Sequence, residues 1–261
     1  MNLKYIKKLD EKKIWEEQYS SGLIELFDFS RSYRNEESVK ETVCFVASEC
    51  YGVKPKDKEK LYERLLNESA GCPSSTFEFI RDNNDTSLNS CLRNNMPMYT
   101  NEQMIEEGYT LQGIESMIFN AVATFRIKVP IFLSAQILRH RSFAFQIQSR
   151  RYQSNEKSPF EFWTGGVLDN ELIEQIVEDY DYMVDIMDVA PEIARGIIPQ
   201  SAYSSMFIQG DVKAWVNYFN VRLNKKAQKM HRELASEMLD MIKNNQPRLF
   251  EHISDRLFIG K

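Results

Sequence analysis

No acidic residue occurs between Ser116 and Asn155, in a chain that carries 38 Asp and Glu against 33 Lys and Arg over 261 residues, a net charge of −5. At average usage an acid-free window that long arises about once in several hundred tries. Other shortages exclude whole classes of function. The four cysteines, Cys44, Cys50, Cys72 and Cys91, form no CxxC pair and have no histidine at ligand spacing. That argues against a metal site and for free thiols in a reducing, cytoplasmic setting. No base stands near Cys44 or Cys50 to make either a nucleophile. There is no GxGxxG, so a dinucleotide would not lie on a Rossmann turn. No apolar run approaches the roughly 18 residues of a membrane span, and Met1–Lys13 is charged and amphipathic, unlike a secretory leader. Repeats, low-complexity tracts and clear linkers are absent, and one domain over residues 1–261 is the simplest organisation.

Inside the acid-free window stand Arg126, Lys128, Arg139, Arg141, Arg150 and Arg151. Cations without sequence-local partners repel each other, and the fold must offset this. A bound anion does so, and guanidinium forks suit phosphate especially well. The densest stretch runs from Arg139-His140-Arg141 through Ser149-Arg150-Arg151 to Tyr152.

Periodicity organises the remainder. Tyr5–Phe27 reads as a helix, followed by helices over Glu37–Cys50 and Asp57–Asn67. Glu68–Thr100, rich in Asn, Ser, Asp and Pro, reads as a surface excursion, with Thr100 and Gln103 forming a capping box for a further helix. Phe125, Ile127 and Val129 alternate with polar residues as in a half-buried strand, which Pro130 ends. Ile131–Arg139 is then a helix that sets Gln136 one turn before Arg139 and His140, and the arginine-rich stretch leaves it as an irregular segment. Leu172–Val189 is a helix broken at Ala190-Pro191, and Tyr203–Ile208 is a strand. The longest helix is expected from Asp211 to about Lys243, with a core stripe from Val216 to Met241 and a polar flank of Asn217, Asn220 and Asn224. Pro247 stops it, and Leu249–Phe258 forms a last short helix. On the long helix Arg222 lies between Val221 and Leu223, partly buried and in need of a partner. Asp211 and Glu233 are too far along the helix to serve.

Arg-His-Arg, seven residues, then Ser-x-Arg resembles the signature of the flavin-dependent thymidylate synthases. Five fixed residues coincide by accident in roughly one chain of this length in ten thousand. The likeness extends to Thr124–Phe132, to Ala194-Arg195 with Pro199, and to the Asn-rich segment Asn217–Leu223. It spans roughly residues 113–155 and 190–235, whereas 51–112 looks longer than in the usual family member and does not align with it. The resemblance implies an α+β fold, a small antiparallel sheet packed with several long helices. It also implies conversion of dUMP to dTMP, with methylenetetrahydrofolate as carbon donor, FAD as hydride carrier and NADPH as reductant. A homotetramer with shared active sites is implied as well. Carried over position by position, Gln136, Arg139, Ser149, Arg150, Arg151 and Arg195 hold dUMP, and Arg222 polarises its uracil as the catalytic residue. Ser48, Thr124, Arg139, His140, Arg141, Asp211, Lys213 and Asn217 contact FAD.

The chain departs from that pattern. Ile147 stands where the family commonly has an acid that touches both nucleotide and flavin, Asn120 and Lys226 stand where histidines are common, and Ala144 and Gln146 replace a frequent Ser and Asn. A flavin enzyme acting at C5 of another pyrimidine nucleotide is therefore a second reading. A third is a single-strand nucleic-acid groove, for which Phe143, Phe145, Tyr152, Phe160 and Phe162 would be stacking platforms. The acidic balance, with a pI near 5.5, speaks against that one.

Overall fold

The computed structural model describes residues 4–8, 23–28, 36–51, 57–66, 105–106, 108, 110, 122–151, 159–165, 169–245 and 247–258. The expected excursion over Glu68–Thr100 and the capping box at Thr100 lie outside them.

The fold is α+β, organised on a five-stranded antiparallel sheet in the order β1-β2-β3-β5-β4. The strands are β1 (Lys4–Lys8), β2 (Leu23–Asp28), β3 (Val122–Pro130), β4 (Ala144–Ile147) and β5 (Tyr203–Asp211). β3 and β5 pair along their whole length, from Val122 opposite Asp211 to Pro130 opposite Tyr203. Side chains alternate between the faces of a sheet, and this register sorts them cleanly. Ile24, Phe125, Ile127, Met206 and Ile208 share one buried face, with Phe145 and Ile147 of β4 packed against them. Glu25, Thr124, Arg126, Phe207 and Gln209 take the opposite face.

The helices are α1 (Glu36–Tyr51), α2 (Lys58–Leu66), α3 (Ile131–Ile137), α4 (Asn170–Asp181), α5 (Pro191–Ala194), α6 (Val212–Arg222), α7 (Lys229–Asn245) and α8 (Pro247–Ser254). Helices α3, α6, α7 and α8 close over the first face around the fully buried Trp215, Tyr218 and Phe219. Trp215 also donates its indole N–H to the Ala123 carbonyl at 3.3 Å, so the ring buries apolar area without orphaning its one polar atom. Helix α1 covers the other face. Val46 and Phe45 pack on Phe207, and Glu49 accepts from Arg126 at 2.7 Å while Glu25 accepts from the same guanidinium at 3.2 Å.

Four expectations need correction. Tyr5–Phe27 is not one helix: β1 and β2 occupy its two ends, paired antiparallel. The apolar spacing there fits either period, and pairing to β3 decides it, since strand preference is set mainly by neighbours. The arginine-rich stretch is not irregular throughout, because Ala144–Ile147 adds β4 to the free side of β5. The helix expected over Leu172–Val189 ends its α-helical part at Asp181 and passes into a π-helical turn, Tyr182–Ile186, after which Asp188 takes φ 54°. The long helix from Asp211 is two, interrupted between Arg222 and Lys229. Asn224 makes that break, its side-chain carbonyl accepting from Lys226 N–H at 2.9 Å and its main-chain carbonyl from Ala227 N–H at 2.9 Å. Asn competes in this way for backbone groups that a helix would otherwise use.

Candidate functional site

Helix α3 opens directly after Pro130 and delivers the signature to the C-terminal end of α6. There Arg222 is half-buried. Its Nε donates to His140 Nε2 at 2.8 Å, and its Nη2 donates to the Gln136 main-chain carbonyl at 3.0 Å. Residues 82 and 86 positions apart are thus joined through one guanidinium. Because Nε2 accepts, His140 is the neutral imidazole, and burial together with the Arg222 charge lowers its pKa to about 4. Within the protein, the partners of Arg222 are therefore His140 of the signature and the Gln136 carbonyl one turn before it.

A second layer lies beneath. Gln136 Nε2 donates to Gln228 Oε1 at 2.6 Å, and Gln136 Oε1 lies 3.3 Å from His231 Nδ1. The other imidazole nitrogen, Nε2, is 3.2 Å from the Tyr218 hydroxyl. His231 is fully buried, and burial, reinforced by the Arg222 charge, lowers its pKa to about 3. Tyr218 is equally buried, which pushes its phenol up. Phe143 packs edge-on against Trp215 at 4.6 Å and lies over Gly210, where a Cβ would come within 2.3 Å of its ring.

The remaining residues of the stretch form a separate group. Ser149 N–H donates to the Cys50 carbonyl at 2.9 Å, tying the segment to the end of α1. Its hydroxyl accepts from the Arg151 N–H at 3.3 Å, so the two residues share a local bend. Arg151 donates from Nε and Nη2 to Glu192 Oε2 at 3.3 and 3.1 Å. Arg195 Nε donates to the Glu192 main-chain carbonyl at 3.2 Å. Arg150 lies 4.3 Å from the Phe160 ring centroid. Arg151, Arg195 and Ser149 therefore converge around α5.

The acid-free window does acquire carboxylates, all from distant sequence. Arg126 pairs with Glu25 and Glu49, Lys128 with Glu161 and Arg151 with Glu192. Arg139 and Arg141 are exposed and make no ion pair among the described residues.

The other expected contacts are spread more widely. Thr124 is buried on β3, its hydroxyl accepting from Gln209 Nε2 at 2.7 Å. Gln209 Oε1 is buried with no hydrogen-bond partner among the described residues. Ser48 donates its hydroxyl to the Phe45 carbonyl within α1 at 2.6 Å. Asp211 caps α6, accepting from Ala214 N–H at 2.8 Å, with Lys213 and Asn217 exposed on the following turns. The asparagine flank divides. Asn220 is structural, bridging the Arg256 carbonyl at 3.1 Å and the Phe258 N–H at 2.7 Å, Asn224 makes the helix break, and Asn217 is exposed on α6. Cys44 is buried, which raises its thiol pKa, and donates toward the Lys58 carbonyl. Glu192, Gln228, His231 and Tyr218 were not anticipated. No local pattern marks Glu192, and reading 211–243 as one helix hid the turn that brings Gln228 and His231 back to α3.

An antiparallel sheet flanked by helices thus carries an arginine signature whose histidine is bonded to an arginine from a later helix. Residues 32–248 match the family described as thymidylate synthase complementing protein, and the chain belongs to it. It is 28% identical over 134 residues to the flavin-dependent thymidylate synthase of Synechocystis sp., covering 43% of this chain and 61% of that protein. It is 26% identical over 165 residues to the corresponding Sulfolobus acidocaldarius enzyme, covering 60% of this chain and 63% of that protein. A probable flavin-dependent thymidylate synthase of Paramecium bursaria Chlorella virus 1 is 28% identical over 145 residues, covering 46% of this chain and 66% of its own length. The chain thus spans under two thirds of these relatives. Among the described residues, no helix is long and apolar enough to cross a membrane.

Proposed function

We propose that this protein is an FAD-dependent thymidylate synthase that converts dUMP to dTMP, taking its carbon from methylenetetrahydrofolate and its reducing equivalents from NADPH. The carrying observation is the bond between Arg222 and the signature, through His140 Nε2 and the Gln136 carbonyl. These two contacts hold the guanidinium while leaving its other N–H donors for a ligand.

The donor set suits FAD. Arg139 and Arg141 are exposed guanidiniums without ion pairs among the described residues, and Lys213 and Asn217 stand exposed near the start of α6. Together they offer charge and directional donors to a diphosphate. Ser48, Thr124, Arg139, His140, Arg141, Asp211, Lys213 and Asn217 would hold the cofactor, which when bound supplies hydride transfer from NADPH. Gln136 and Arg139 would meet the dUMP base end, and Ser149, Arg150, Arg151 and Arg195 its phosphate. Arg222 stabilises negative charge developing on the uracil, which makes C5 nucleophilic. The exposed apolar side chains of Tyr182, Ile186 and Ile193 supply a face for the homotetramer.

Purified protein should retain flavin and form dTMP when given the substrates. Arg222→Ala should keep the fold but lower product formation by about 10²-fold or more, the usual scale for one lost charge-stabilising donor. Protein that stays colourless at saturating FAD, or an Arg222→Ala variant that matches the parent rate at saturating substrates, overturns the reading. A second reading, modification of another pyrimidine nucleotide at C5, is favoured by Ile147, which packs against the apolar core where the family commonly has an acid. Product analysis with dUMP against dCMP separates the two.

A further inference from the structure

We propose that His231 is a positioning residue for base recognition, fixing the side-chain amide of Gln136 so that it presents an N–H rather than a carbonyl oxygen to the pyrimidine. This inference rests on the reading of the bound nucleotide as dUMP.

Tyr218 O–H has two possible acceptors, His231 Nε2 at 3.2 Å and the Met238 thioether at 3.9 Å. A thioether is the weaker acceptor, so the hydroxyl donates to the imidazole. The neutral ring then carries its hydrogen on Nδ1, which faces Gln136 Oε1 at 3.3 Å. An amide oxygen only accepts, so the amide is turned with Oε1 toward His231. Its nitrogen faces outward and gives one hydrogen to Gln228 Oε1 at 2.6 Å. The second Nε2 hydrogen has no acceptor among the described residues. The Gln136 backbone is held independently by Arg222 Nη2 on its carbonyl. What His231 adds is the sense of the amide.

That sense distinguishes pyrimidines. Uracil offers a carbonyl at C4 and cytosine an amine. An outward N–H serves the first, and a flipped amide serves the second. Removing the Nδ1 donor frees Gln136 to flip, and recognition loses its direction.

The test uses flavin-loaded protein and calorimetric titration with dUMP and with dCMP. His231→Leu, and His231→Gln, whose polar end stands near the Nε2 position, should each weaken dUMP binding about tenfold and reduce the dUMP-to-dCMP preference by at least that factor. His231→Asn, whose amide N–H stands near the Nδ1 position, should restore most of both. In a Gln136→Ala background, His231→Leu should change dUMP affinity no further. If His231→Leu fails to retain flavin, the Gln and Asn variants carry the comparison. Parent-like affinity and preference in the Gln variant, an Asn variant as impaired as the Gln variant, or additive losses in the double variant overturn the inference while leaving the functional reading intact. A parent protein that holds flavin but binds neither nucleotide overturns both.

Discussion

At Arg151 two anions compete for one guanidinium. Glu192 takes both Nε and Nη2, with the two side chains 49% and 48% exposed. An exposed pair of this kind contributes about 0–1 kcal/mol, whereas a charge-assisted bond to phosphate contributes about 1.5–3 kcal/mol. The carboxylate thus holds the side chain in place but yields to a nucleotide. Glu192→Gln should tighten dUMP binding about threefold, and Arg151→Ala should weaken it about tenfold or more. In the Arg151→Ala background, Glu192→Gln should have no effect on calorimetric affinity; an equal gain there would show that Glu192 acts elsewhere. The sequence marks Arg151, Arg195, Gln136 and Arg222 because a motif names them. It is silent on Glu192 because an ion pair across 41 positions leaves no local trace. His231 is hidden for a related reason, since its partner becomes adjacent only once the chain turns at Asn224.

At the scale of elements, legibility follows how much of the decision is local. α1, α2, β3 and α3 were readable, because their spacing admits one period and Pro130 punctuates the last junction. β1, β2 and β4 were not, because each becomes a strand only by pairing. The break between α6 and α7 contains neither Gly nor Pro and rests on one Asn side chain. Gly210, at the end of β5, serves close packing. A methyl group there would lie 2.3 Å from Phe143 Cε1. Phe143 has little room to retreat, with Trp215 at 4.6 Å and Tyr218 at 5.9 Å. Gly210→Ala should therefore cost about 1–3 kcal/mol, the usual range for overpacking, measured as a lower urea midpoint. It should also perturb His140, whose ring centroid lies 6.3 Å from that of Phe143. An unchanged midpoint would mean that the aromatic cluster yields more readily than its packing indicates.

Across the whole molecule, the sheet, α3, α6 and α7 bury two neutral histidines against one arginine, and this makes folding sensitive to mild acid. His140 and His231 have pKa values lowered from 6.5 to about 4 and about 3, chiefly by burial and then by the Arg222 charge. Around them stand Arg222, the uncharged Tyr218 and the amide of Gln136, with no carboxylate among their hydrogen-bond partners in the described residues. Both pKa values are depressed, so below about pH 6.5 the unfolded chain binds protons that the folded protein refuses. Stability is therefore full above that pH and declines as pH falls. The limit is about 1.4 kcal/mol per pH unit for each histidine. At pH 5 the two together cost up to about 4 kcal/mol, a large share of the roughly 5–15 kcal/mol that holds a typical domain. Most carboxylates titrate below this window, so the histidines dominate it. Urea unfolding between pH 7.5 and pH 5 should show stability falling with a slope approaching two protons for the parent protein and about one for His231→Asn. Arg222→Met removes a charge that opposes protonation of both rings, so its slope should also be shallower than that of the parent. Equal slopes in all three proteins would mean that the acid sensitivity originates outside this buried pair.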